Sequence, residues 1–255
     1  MRKPHAARKQ GFQRPDSTKC YALLVDGYMR DLFSLGLILQ RLNYDVFIAN
    51  SGEDAIKHIE LAVPDLVITE LSLRHMSGLE LLFHLKQNAE TRDIPVIIYT
   101  AIGDATRQQH CRDSGCAAFL TKPADIAQLY SAIQHATEAR PRQHIRLHTL
   151  LPVRVGGPVP KEAADSVEYI TEISENDFFV RTLNPRPINA VLPVNLIINS
   201  QPVKVTARVA RTVTIREGVF KEPGMGMQFV EISSAHRELL RNYIRYNIMR
   251  DIVMS

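Results

Sequence analysis

Between Tyr21 and Ala139 five short apolar runs, YALLV, DVFIA, LVITE, VIIYT and AAFL, alternate with longer segments of helical period. Each run has strand length and is bounded by turn residues or acidic groups. After the first run, Leu32, Leu35, Leu39 and Leu42 fall near one helical face. Ser51 is placed to cap the next helix with Asp54 three residues on, and Ile126, Leu129 and Ile133 mark the last one. Five strand–helix units in succession predict a doubly wound (βα)5 parallel sheet, with helices on both faces and right-handed crossovers. In such a sheet the functional crevice lies beyond the carboxyl ends of the strands. Asp26, Glu70, Thr100 and Lys122 all fall there.

Past HATEARPRQHIR, where Pro141 should end the last helix, the period changes. LHTLLPVRV, SVEYITEIS, FFVRT, VNLIIN, VKVTARVARTV and MGMQFVEI read as strands separated by Pro, Gly, Asn and Ser signals. The closing SSAHRELLRNYIRYNIMRD reads as a helix capped by Ser233 or Ser234, with Leu240, Tyr243, Ile244 and Ile248 as its apolar stripe. A small antiparallel β-barrel with a C-terminal helix is the expected second fold. The 255 residues suffice for two separate cores. The expected division is a basic flexible tail over 1–19, an α/β domain over 20–139 and a β domain over 140–255.

Charge follows the same division: +5 over residues 1–19, −6 over 20–138 and +5 over 139–255, within a total of +4. A basic second half is compatible with an anionic partner, and equally with solvated surface charge. No apolar run approaches the ~18 residues of a membrane helix, and the N-terminus has no signal-peptide pattern, so a cytoplasmic location is expected. Cys20, Cys111 and Cys116 have neither CxxC nor zinc-ligand spacing. His144 and His148 stand at i, i+4 without a glutamate or third ligand, so no metal site is expected. The absence of Trp leaves no stacking platform for single-stranded nucleic acid, and no nucleophile–base pair suggests catalysis.

LLVDG, PDLVITELSLRHMSGLELL, VIIYTA and AAFLTKP occur in order and at the spacing of a response-regulator receiver domain, which residues 20–139 resemble. The resemblance makes Glu70 the phosphoacceptor position, Asp26 and Gly27 the acidic-pair positions, Thr100 the switch hydroxyl, and Phe119 and Lys122 the switch aromatic and lysine. Two of these depart from the family, which has aspartate at position 70 and a second acid at position 27. Acyl phosphate formation needs an in-line carboxylate and a magnesium ion. Gly27 removes a carboxylate from a metal that demands octahedral oxygen ligation. Glu70 is longer by ~1.5 Å, and a 1 Å misplacement can cost ~100-fold. The expectation is a pseudo-receiver, neither phosphorylated nor a magnesium site. Glu70 either holds it in one signalling state, by pairing with Lys122 and accepting from Thr100, or merely neutralises a leftover lysine.

Residues 140–250 resemble a PilZ domain, a small barrel whose family binds cyclic di-GMP. RQHIR supplies its RxxxR motif at Arg142 and Arg146, immediately before the LPVRV strand. Two guanidiniums on one segment suit a phosphate and the N7/O6 edge of guanine. The family's second motif, D/N-x-S-x-x-G, aligns with EISEND: Glu172 replaces the acid or amide, Ser174 is retained and Asp177 replaces the glycine. Asn176 and Asp177 are expected still to allow a tight turn, because Asn and Asp visit left-handed backbone more readily than most residues. Cyclic di-GMP binding is therefore expected to be weakened or lost. The resemblances imply a non-catalytic two-component adaptor without cofactor, acting through protein partners on motility, pili, exopolysaccharide or secretion, with a homodimer through the receiver as one option. The alternative is a DNA-binding response regulator, against which the β-rich second half counts.

Overall fold

The computed structural model describes residues 20–139, 141–156, 168–214, 222–250 and 252; the expected tail over 1–19 lies outside them. The chain forms two compact units that divide between Gln143 and His144. The division falls a few residues beyond the expected junction because the Arg142 backbone N–H donates to Gln134 Oε1, which ties this segment back to the preceding helix.

The first unit runs β1 (Cys20–Val25), α1 (Met29–Arg41), β2 (Tyr44–Ala49), α2 (Gly52–Leu61), β3 (Leu66–Thr69), α3 (Gly78–Gln87), β4 (Val96–Thr100), α4 (Ala105–Asp113), β5 (Ala118–Thr121) and α5 (Ile126–Thr137). Its strands lie in the order β2-β1-β3-β4-β5, all parallel. Leu23, Val25, Val67, Val96 and Ile98 bury one face against Ala55, Ile59, Leu81, Leu82 and Leu85 of α2 and α3. Strands covered on both faces need apolar residues at successive positions, which is why they read as runs rather than alternations. Ser51 caps α2, accepting from the Asp54 N–H at 3.2 Å. Ser77 and Glu80 form a reciprocal capping box on α3.

The chain leaves β1 for the edge strand β2 and returns to β3 on the other side, so the switch point lies between the ends of β1 and β3. Asp26 and Glu70 follow those two strands directly, and the Glu70 N–H donates to the Val25 carbonyl at 2.8 Å. Gly78 completes the packing here. A Cβ at Gly78 would lie 2.1 Å from the Glu70 carbonyl oxygen, so only glycine lets α3 begin this close to the strand end.

The second unit runs β6 (Leu147–Val155), β7 (Glu168–Ile173), β8 (Asp177–Arg181), β9 (Val191–Ile198), β10 (Gln201–Val213), β11 (Gly224–Glu231) and α6 (Ser234–Met249). The strands close as an antiparallel barrel, β10-β11-β8-β7-β6-β9. Alternate residues face the core: Val203, Val205, Ala207 and Val209 on β10 are buried while Lys204 and Arg208 are exposed. Asn199 and Ser200, both at positive φ, make the two-residue turn joining Ile198 to its partner Gln201. Ser233 caps α6, which buries Leu240, Tyr243, Ile244 and Ile248. The Tyr243 hydroxyl bonds to Thr149 Oγ1 at 3.1 Å.

Candidate functional sites

The switch point of the first unit holds a buried polar cluster. Glu70 is 6% exposed, Asp26 6% and Thr100 fully buried. Glu70 Oε1 accepts from the Leu71 N–H at 2.7 Å, the Ser72 N–H at 3.1 Å and the Thr100 hydroxyl. Its Oε2 pairs with Lys122 Nζ at 3.0 Å. Lys122 Nζ also pairs with Asp26 Oδ2 and, at 2.7 Å, with Asp31 Oδ2. The Tyr28 N–H fixes the other Asp26 oxygen at 2.9 Å, and Tyr99 presents its ring 5.4 Å from the ammonium. Three carboxylates thus surround one cation.

The environment splits the two strand-end carboxyls. Burial pushes Asp26 above its ordinary range, against the pull of Lys122 and the Tyr28 N–H. Burial also opposes ionisation of Glu70, but the Thr100 hydroxyl, the Ser72 N–H and Lys122 outweigh it and hold that carboxyl low. Lys122 loses solvation as well, yet its bonds to Asp26 and Asp31 raise its pKa. Glu70 therefore stays an anion. Its carboxylate accepts from the Thr100 hydroxyl, and Phe119 on β5 packs half-buried against the core.

Lys122 engages oxygens of Asp26, Asp31 and Glu70 together. Gly27 adds no ligand, although a Cβ there would meet nothing within 4 Å. Among the described residues no group of three or more His, Cys, Asp or Glu side chains is arranged to hold a metal ion. Asp31 belongs to this cluster and was not anticipated from sequence. An acid in the first turn of a helix reads as a favourable charge at the helix N-terminus, and only its position five residues after Asp26 hinted that it reaches the crevice.

In the second unit the residues singled out around EISEND come together in a different way. Arg146 Nη1 pairs with Glu172 Oε2 at 3.2 Å and its Nη2 with Asp177 Oδ2 at 2.7 Å. Ser174 is 2% exposed. Its hydroxyl accepts from the N–H groups of Asn176 at 3.2 Å and Asp177 at 3.0 Å, and lies 2.7 Å from Asp177 Oδ1, to which it donates. The expected tight turn forms without left-handed backbone at Asn176 or Asp177: among the described residues, the non-glycine positive φ angles belong to Asn43, His75, Asn189, Asn199 and Ser200. The Ser174 hydroxyl closes the turn instead, so the backbone need not. Arg142 stands with the first unit.

Two further residues of this site lie on α6 and were missed. Arg241 clamps Glu175 through Nε at 3.1 Å and Nη2 at 2.8 Å. Arg237 Nη1 donates to the Glu175 carbonyl at 3.0 Å and Asn176 Oδ1 at 3.1 Å. The Arg241 guanidinium holds the Glu175 carboxyl below its ordinary range. The i, i+4 spacing of the two arginines was the available signal.

Among the described residues α6 is the single helix of the second unit, so no helix-turn-helix pair supports DNA binding, and no helix is long and apolar enough to cross a membrane. Residues 22–134 match the response regulator receiver domain and residues 140–246 the PilZ domain. The chain is 36% identical over 118 residues to the transcriptional regulatory protein GlrR of Escherichia coli (strain K12), covering 46% of this chain and 26% of GlrR. It thus spans about a quarter of the length of that relative. It is 30% identical over 97 residues to the polar-differentiation response regulator DivK of Brucella ovis, covering 38% of this chain and 79% of DivK. A solved receiver domain protein from Clostridium thermocellum, 25% identical, aligns over 46% of this chain and 94% of its own with a TM-score of 0.43. The chain belongs to the response-regulator family, with a receiver domain followed by a PilZ domain.

Proposed function

We propose that this signalling protein is a non-catalytic, cytoplasmic adaptor whose receiver, over residues 20–139, is unphosphorylated and free of magnesium, and whose PilZ domain, over 140–255, binds cyclic di-GMP weakly or not at all. One observation carries the reading: the Glu70 carboxylate takes the Thr100 hydroxyl and the Lys122 ammonium that a phosphoryl group would engage. A built-in anion on the switch hydroxyl favours a constant, active-like state. The bond to Thr100, additional to the ion pair with Lys122, supports the held state over mere neutralisation of the lysine. Output then passes through protein partners, with surface motility, pili, exopolysaccharide or secretion as the processes the PilZ resemblance suggests, and with a receiver homodimer as one route. Arg142, Arg146, Glu172, Ser174 and Asp177 are the candidate residues for any remaining cyclic di-GMP contact.

Incubation of the protein with a small acyl phosphate and magnesium, followed by intact-mass measurement, tests the receiver half. No added mass is expected, and one phosphoryl group located on Glu70 overturns it. Calorimetric titration with cyclic di-GMP, with Arg142→Ala as control, tests the other half. Weak heat or none is expected, whereas tight saturable binding lost in the control marks a working receptor.

A further inference from the structure

The arginine that a cyclic dinucleotide would need on the barrel is already paired within the chain. A guanidinium presents a planar fork of donors that suits carboxylate and phosphate alike. Arg146 spends one terminal nitrogen on Glu172 and the other on Asp177. Those two acids stand where the PilZ motif has an acid or amide and a glycine, so the departures from the motif are themselves the partners of its arginine.

The acids are held in place from behind. Ser174, buried beneath the turn, fixes Asp177 through its backbone N–H and its Oδ1. From α6, Arg237 and Arg241 grip the next two residues of the turn, Glu175 and Asn176. The turn therefore stands between two sets of arginines, and its carboxylates have little freedom to swing away from Arg146.

We infer that Glu172 and Asp177 form an internal competitor for Arg146, an anion built into the chain that closes a latent cyclic di-GMP site, and that Arg237 and Arg241 are positioning residues that keep it closed. The inference rests on the adaptor reading, since it explains why the barrel binds the dinucleotide weakly or not at all. A site whose competent state is populated only one-tenth to one-hundredth of the time loses about 10- to 100-fold in apparent affinity. Taking the competitor away returns that factor.

The test is calorimetric titration of cyclic di-GMP into the full chain and four variants. Glu172→Asn/Asp177→Gly should bind about 10- to 100-fold more tightly than wild type, and adding Arg146→Ala should abolish the gain. Because that double change also rebuilds the motif, two variants that do not rebuild it separate release of the lock from repair of ligand contacts. Asp177→Asn keeps the size of the side chain without its charge, and Arg237→Gln/Arg241→Gln leaves every motif residue in place; each should recover part of the gain. If the double variant does not fold, as judged by circular dichroism, Asp177→Asn must show the gain alone. Folded variants that bind no better than wild type overturn the lock and leave the adaptor reading standing. A wild type that binds as tightly as the released variants overturns the lock and the weak-binding half of the adaptor reading together.

Discussion

The receiver pocket and the barrel turn both place an internal carboxylate on a basic side chain, but at different depths. In the pocket the side chains of Lys122, Asp26 and Glu70 are 12%, 8% and 6% exposed. In the turn those of Arg146, Glu172 and Asp177 are 24%, 31% and 34% exposed. The pocket also has three carboxylates for one cation, whereas the turn brings Arg237 and Arg241 as well. Depth decides what each arrangement can do. A buried charge that loses its partner has no water to turn to, so breaking the pocket's pairs is costly. The turn sits where its ions can rehydrate, so it can open at modest cost.

The comparison is most exposed to Lys122→Met. Removing the ammonium leaves Asp26, Asp31 and Glu70 facing one another in a nearly dry crevice, and breaking a buried pair costs about 3–5 kcal/mol. Urea unfolding should show a loss of that size, together with protonation of one of the carboxyls at neutral pH. A loss under about 1 kcal/mol would place the pocket among ordinary surface pairs and end the contrast.

Next in size is Glu70→Gln. Hydrogen bonds to a charged group contribute about 1.5–3 kcal/mol, so the variant should be less stable than wild type by that order at pH 7. Its pH dependence follows from the depressed Glu70 pKa. A carboxyl that is more acidic folded than unfolded stabilises above its unfolded value, about 4.3, and that contribution is lost as pH falls through the lower folded value. Asp26 has the opposite sign: its raised pKa favours the folded state at low pH, and that advantage is lost as pH rises through the raised value. Comparing wild type with Glu70→Gln cancels Asp26 to first order. The stability gap should be flat near neutrality and close below about pH 4.3; a gap that widens in acid would assign Glu70 the wrong state.

A third change tests how the pocket is positioned. Gly78→Ala puts a methyl group against the Glu70 carbonyl, and overpacking of this kind costs about 1–3 kcal/mol. Gly27→Ala enters open space and should stay within about 0.5 kcal/mol. Equal losses in parallel thermal melts would mean that α3 does not bear on the strand end.

What could be read from sequence follows the same division between backbone pattern and side-chain reach. The parallel sheet was legible because strands buried on both faces leave unbroken apolar runs, and the barrel because one wet face leaves alternation. Asp26, Glu70, Thr100 and Lys122 were legible because strand ends in such a sheet converge on one crevice. Asp31 was not, since an acid in a helix's first turn already has a local explanation. Gly78 was hidden for a similar reason: a residue just after a capping serine reads as an ordinary helix start, and its contact is with a backbone oxygen eight residues away. Arg237 and Arg241 lie on the solvated face of α6, where sequence gives charge but not direction. The pairing of Arg146 with the two acids that depart from its family motif needed the register of β6 on β7, in which His148 stands opposite Glu172.

Apart from the Gly27→Ala control, the smallest expected effect belongs to Arg146→Met, and it sharpens the contrast because it is small. The substitution keeps much of the aliphatic stem and removes both ion pairs at once, as Lys122→Met does in the pocket. Glu172 and Asp177 are each about one-third exposed, and water can take over the bonds that the guanidinium gave up. Pairs in such settings contribute about 0–1 kcal/mol each, so with two of them lost urea unfolding should place the variant within about 2 kcal/mol of wild type. Salt then separates the two sites. Screening shortens to about 3 Å at 1 M, which should erase the small Arg146→Met gap while leaving most of the Lys122→Met gap, because ions do not enter a buried crevice. If both gaps shrank together, the pocket would be as open to solvent as the turn, and the permanence attributed to Glu70 would have no physical basis.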